Sequence, residues 1–171
     1  LSHIASDNVA GGVMAGEELL AQVGPGAKVV ELQGIPGASA TVDRGTGFHK
    51  AVDGKLEVVA SQPADFNRDK GFTVMQNIIQ GNKDIKGVFA HNDEMALGAI
   101  QALEAAKLQN VVVIGFDATD DAVAAVKAGK MKATVAQKPA LIGSMAVETA
   151  VKHLKGEKVE AVIPVPLELV K

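Results

Sequence analysis

Gly87-Val88-Phe89-Ala90-His91-Asn92-Asp93-Glu94-Met95-Ala96-Leu97-Gly98-Ala99 decides the fold. Gly87–Ala90 is a short, unbroken apolar run of strand length. The polar turn after it includes Asn92, a good helix N-cap, and from there Met95, Ala99 and Leu103 recur at helical spacing. A strand apolar on both faces that feeds an amphipathic helix is the repeating step of a parallel α/β sheet.

The same step recurs on either side. Lys28–Leu32, Leu56–Ala60, Val111–Ile114 and the short Thr134–Ala136 read as further strands, with Ser2–Ala5 as a strand entering from upstream. Val9, Val13 and Leu20 mark a helix that Asp7-Asn8 can cap, and Gly12 and Gly16 permit close approach to a neighbour. Phe72, Met75 and Ile79 mark another. Ala122, Val123 and Val126 follow Asp120-Asp121 and stop at Gly129. Pro139 opens a last helix that carries Ile142, Met145 and Leu154 and closes at Gly156. The alternation predicts an α/β fold, a doubly wound parallel sheet flanked by helices on both faces. In the tail Val162–Val170, Pro164 and Pro166 predict an edge strand or a crossing segment.

Composition narrows the function. A chain of 171 residues, 47% hydrophobic and 22% charged, suits one folded domain. The net charge is −3 with signs interleaved and no basic patch, so nucleic acid is not an expected partner. The absence of cysteine excludes disulfides and cysteine-ligated metals. No apolar run is long enough to span a bilayer. The histidines at 3, 49, 91 and 153 are scattered, and no metal or cofactor is expected. Gly34–Ser39 lacks the Lys-Ser/Thr of a phosphate loop and reads as a turn into a helix. With no Gly-x-Ser-x-Gly elbow and no nucleophile beside an acid/base pair, the chain is not expected to be an enzyme.

Open parallel sheets bind ligands beyond the carboxyl ends of their strands. Following each strand to its end collects Arg44, Phe66, Asn92, Phe116, Asp117 and Gln137. Asp117 only accepts hydrogen bonds, Arg44 only donates, and Asn92 and Gln137 do both, which matches hydroxyls that also do both. Two phenylalanines can cover the C–H face of a sugar ring. Each residue also has a local alternative. Phe66 could sit in the core under its loop, Asp117 or Asp120 could cap the next helix, and Asn92 could cap its own. Arg44 could pair with Asp43 or Glu31 on the surface.

Several motifs, in order, carry a resemblance across essentially the whole chain. They are Ser2–Asn8, Glu31–Ala40, Arg44-Gly45-x-Gly47-Phe48, Gln62–Arg68, Phe89–Ala99, Gly115-Phe116-Asp117 and Ala136-Gln137. Together they resemble the bacterial ribose-binding proteins, solute-binding components of ABC importers, some of which also report sugar to chemotaxis receptors. The resemblance implies a periplasmic-binding-protein type I lobe that binds D-ribose or a similar monosaccharide, with ABC importer membrane subunits as partners and a periplasmic or other extracytoplasmic location. It implies that Arg44 bonds sugar oxygens, that Phe66 and Phe116 pack on the ring, and that Asn92, Asp117 and Gln137 bind hydroxyls. Arg68 is expected at the surface or in a positioning role, and Val42 stands where close relatives often carry a second basic residue. It further implies that residues 1–138 form the C-terminal sugar-binding lobe, with an N-terminal lobe missing from this sequence. Residues 139–160 would pack on that other lobe, and 161–171 would return as a tail strand. The alternative is the sugar-effector domain of a LacI-type transcription regulator, which shares the fold.

Overall fold

The computed structural model describes residues 2–171. Strand and helix alternate as β1 (His3–Ser6), α1 (Asn8–Val23), β2 (Lys28–Gln33), α2 (Ser39–Val52), β3 (Glu57–Pro63), α3 (Arg68–Gly81), β4 (Gly87–Ala90) and α4 (Asp93–Ala105). They continue as β5 (Val112–Asp117), α5 (Asp120–Lys127), β6 (Ala133–Ala136), α6 (Pro139–Leu154), β7 (Val162–Val165) and β8 (Glu168–Val170). The main sheet runs β3-β2-β4-β5-β6-β8, parallel except for β8, which pairs antiparallel to β6.

Each central strand divides its side chains between two cores at a period of two. Val30, Leu32, Val88, Ala90 and Val113 face α3, α4 and α5, around Met75, Met95 and Leu103. Val29, Phe89, Ile114 and Phe116 face α1 and α2, around Leu19, Phe48 and Val52. Burying a side chain of this size contributes roughly 1.5–3 kcal/mol, so the two layers hold the sheet rigid from both sides. Glycine sets how close the covering helices come. A Cβ on Gly12 would lie 2.1 Å from the Arg44 carbonyl oxygen, and one on Gly47 would lie 2.0 Å from that of Val9. The α1 and α2 backbones therefore touch, and their contact fixes the height at which Arg44 leaves α2.

Strand β1 departs from the expected sheet. It pairs in parallel with β7, from His3 with Val162 to Ser6 with Val165, as a separate two-stranded ladder. The tail thus serves both expected uses: β7 crosses beside β1 and β8 closes the edge of the main sheet. Helix α6 leans on β1 and buries none of its residues. Leu154 is 84% exposed, and Val147 and Val151 are exposed beside it. A groove between β1 and α6, lined by His3, Ile4, Ala146, Ala150, His153 and Val159, lies toward the amino end of β1. No helix among the described residues is long and apolar enough to cross a membrane.

Candidate ligand-binding site

The strand order reverses between β2 and β4: β2 is followed outward by β3, and the chain then returns to β4 on its other side. Open α/β sheets bind ligands at such a switch point, beyond the carboxyl ends. In this chain that edge is formed by the turn after Gln33, by His91-Asn92, and by the ends of β3, β5 and β6. Arg44, Phe66, Asn92, Asp117 and Gln137 come together there, with Phe116 buried beneath Arg44.

Arg44 is the hub. Its side chain is buried, with Nε donating to Asn8 Oδ1 at 2.9 Å and Nη1 to the His91 carbonyl at 2.5 Å. The guanidinium carbon stands 3.7 Å over the centroid of the Phe116 ring, 5.9 Å from that of Phe66, and Nη1 is 3.7 Å from Asp117 Oδ1. Burial lowers the Arg44 pKa, opposed by the charges of Asp117 and Asp93. The surface pairing with Asp43 or Glu31 is therefore corrected: the guanidinium points inward, onto Asn8 and His91. Asp117 accepts from Gln137 Nε2 at 2.5 Å. Burial raises its pKa while Arg44 and Gln137 pull it down.

Asn92 fills two roles. Its Oδ1 accepts from the Met95 amide at 3.1 Å as the N-cap of α4, and its Nδ2 donates to the Phe66 carbonyl at 3.3 Å. Phe66 is half-buried and lies against Gly34, where a Cβ would fall 2.0 Å from the ring. Phe116 is fully buried beneath Arg44 and against Gly11, so its ring is a shelf for the guanidinium rather than a face open to solvent. Neither Asp117 nor Asp120 caps α5. Thr119 does, with Oγ1 accepting from the Ala122 amide. Arg68 binds Glu94 through Nε and Nη2 at 2.9 and 2.8 Å, and Asp121 at 2.8 Å, which ties α3, α4 and α5 together.

The backbone at this edge is strained. Asp65, Phe66, Asp117, Ala118 and Lys138 all have positive φ, from 54° to 119°. Non-glycine residues in that region cost roughly 1–3 kcal/mol each and persist where the surroundings over-determine them. The five lie in the loops that carry Phe66, Asp117 and Gln137.

Sequence reasoning missed the groups that hold these residues from behind. Glu31 is fully buried on β2. Its Oε1 lies 2.9 Å from His91 Nε2, and its Oε2 accepts from Ser61 Oγ and approaches His49 Nε2. Burial would raise its pKa, but the bonds from His91 and Ser61 win and hold it near about 2. Asp93, also fully buried, accepts from Thr119 and Thr134. Ser6 Oγ, two residues before Asn8, and Thr41 Oγ1, one turn before Arg44, are buried without a partner among the described residues. A charge inside an otherwise apolar strand was the available signal for Glu31. For Asn8 it was that Asp7 alone suffices as the cap of α1.

Fixed donors and acceptors gathered at a switch point and held by a buried network define a doubly wound α/β lobe with a polar carboxyl edge. The chain belongs to the periplasmic binding protein domain family, whose model matches residues 1–158. It is 56% identical over 128 residues to the ribose import binding protein of Bacillus subtilis, covering 75% of this chain and 42% of that protein. It is 57% identical over 132 residues to the one from Escherichia coli, covering 77% and 45%. Among solved structures, an ABC transporter periplasmic solute binding protein from Actinobacillus succinogenes with bound D-allose superposes with a TM-score of 0.95 at 34% identity. The match covers 99% of this chain and 60% of that one. A periplasmic ribose ABC transporter protein from Conexibacter woesei gives 0.95 at 28% identity, covering 99% and 58%. The chain's matches thus span less than half the length of these curated relatives.

Proposed function

We propose that this chain is one lobe of a monosaccharide-binding protein, that its ligand is D-ribose, and that it binds without chemistry. In this reading it serves as part of the extracytoplasmic solute-binding component of an ABC importer, delivering sugar to the membrane subunits. The observation that carries the reading is the convergence of Arg44, Asn92, Asp117 and Gln137 at the carboxyl edge. A sugar hydroxyl arriving there finds a carboxylate to donate to and amide and guanidinium N–H groups to accept from. Hydrogen bonds to charged groups contribute roughly 1.5–3 kcal/mol each. Phe66, half-exposed on its strained loop, offers the apolar face for the ring. The identity to relatives named for ribose import supports D-ribose over other sugars.

A second lobe completes the site in this reading. Residues 1–138 form the sugar-binding lobe, 139–160 pack on the complementary lobe, and 161–171 return to this one. The unburied α6 with its exposed Val147, Val151 and Leu154 supports that division. Closure of two lobes would exclude water and supply the remaining contacts, so this chain alone binds weakly. The test is thermal melting in D-ribose against equal D-glucose and D-galactose. A ligand at ten times its Kd stabilises by about 1.4 kcal/mol. A ribose-selective rise that is lost in Asp117→Ala is expected; equal responses to all three sugars contradict the assignment.

A further inference from the structure

The turn that presents Asp117 is held by a residue with no expected ligand contact. Asp117 and Ala118 have φ of 119° and 54°, and neither is glycine. Both amides that follow Asp117 end on one network. The Thr119 amide donates to Asp93 Oδ2 at 2.8 Å, and Thr119 Oγ1 donates to the same oxygen at 3.2 Å. The Ala118 amide donates to Thr134 Oγ1 at 3.1 Å, and that hydroxyl donates onward to Asp93 Oδ1 at 2.6 Å. Asp93 is 0% exposed, in the first turn of α4 immediately after Asn92. Space is kept for it: a Cβ on Gly115 of β5 would lie 2.3 Å from Asp93 Oδ1.

We propose that Asp93 is a positioning residue that clamps the Asp117–Thr119 turn in its strained conformation and so aims the Asp117 carboxylate at the ligand. This rests on the reading of Asp117 as an acceptor for a sugar hydroxyl. The clamp reaches across three elements, from α4 to the end of β5 and to β6. No cation among the described residues bonds the Asp93 carboxylate. The charged groups that face it are Asp117 at the end of β5 and Arg44 on α2, and the remaining contacts are the Thr119 amide and the hydroxyls of Thr119 and Thr134. Burial, with Asp117 adding to it, raises its pKa to about 6 against the pull of the two threonines. A carboxylate kept in such a place is the acceptor for the Thr119 amide and two hydroxyls, one of which relays the bond from the Ala118 amide.

The test uses Asp93→Asn, which keeps shape and removes one acceptor, and Thr134→Val, which removes only the relayed bond. Amide exchange and the φ-sensitive amide coupling at Ala118 and Thr119 are read without ligand, and D-ribose affinity by NMR titration. The expectation for Asp93→Asn is roughly tenfold faster exchange at those two amides and roughly tenfold weaker ribose binding, the scale of one hydrogen bond to a charged group. Amides in the middle of α4 should stay protected. Thr134→Val should loosen Ala118 and leave Thr119 protected. Unchanged exchange and coupling at Ala118 and Thr119 in Asp93→Asn overturns the clamp, as does a loosened turn with wild-type affinity. If the unaltered chain shows no ribose response, the sugar assignment fails instead, and the ligand-free amide readout still decides whether Asp93 holds the turn.

Discussion

Gly12→Ala should destabilise the fold by about 2 kcal/mol, although alanine is the better helix former. In an open helix the exchange would stabilise by roughly 0.8–1.0 kcal/mol. At Gly12 the new Cβ would sit 2.1 Å from the Arg44 carbonyl oxygen and 2.8 Å from the Phe48 amide nitrogen. Real Cβ atoms essentially never come within 3.0 Å of such atoms, so α1 and α2 must separate by about 1 Å. Both obstacles are backbone, so no side chain can swing aside. Overpacking of this kind costs roughly 1–3 kcal/mol, occasionally more, and rigid backbone on both sides places it at the upper end. The net loss of about 2 kcal/mol corresponds to a fall of about 4–8 °C in Tm for a chain of this size. Gly81→Ala is the control, because nothing lies within 4 Å of its Cβ position. Far-ultraviolet circular dichroism is the assay, since the chain has neither Trp nor Tyr. A Gly12→Ala melt within 1 °C or so of wild type, or above it, refutes the backbone contact.

Further predictions follow from the site and its support. Glu31 has a folded pKa near about 2, below its unfolded value of 4.5, so its contribution is present above pH 4.5 and is lost as pH falls toward 2. That contribution is about 3 kcal/mol, so the acid slope of stability between those pH values should be markedly shallower in Glu31→Gln; urea melts across the range check it. Asn92→Ala should cost about 1 kcal/mol from loss of the α4 cap, whereas Asn92→Asp should keep the cap and lose only the bond to the Phe66 carbonyl. Ribose titrations of both variants should show weakened binding with different stability. Arg68→Ala should lower stability by at most about 1 kcal/mol, since its side chain is a third exposed, and should leave ribose affinity unchanged.

The strands and helices of the main sheet were legible because a single rule governs them. Apolar runs bounded by capping residues, such as Gly87–Ala90 before Asn92, need no tertiary information. The carboxyl-edge rule then pointed to six residues, five of which the structure gathers at that edge, while Phe116 is buried beneath Arg44. What remained hidden depends on contacts distant in sequence. Nothing in Lys28–Gln33 says that Glu31 will meet His91 sixty residues later. The burial of Phe116 follows from where Arg44 comes to rest, 3.7 Å above its ring. The departure of β1 from the sheet is likewise set by its pairing with β7 at the other end of the chain.

The central claim is that the carboxyl edge recognises ribose. A two-dimensional amide spectrum of this chain, titrated with D-ribose to high millimolar against D-glucose and D-galactose, tests it most directly. The account predicts ribose-selective shifts confined to the backbone around Arg44, Phe66, Asn92, Asp117 and Gln137, saturating with one affinity. A well-dispersed spectrum without ribose-selective change, or shifts centred on α6 and β1 instead, would contradict it.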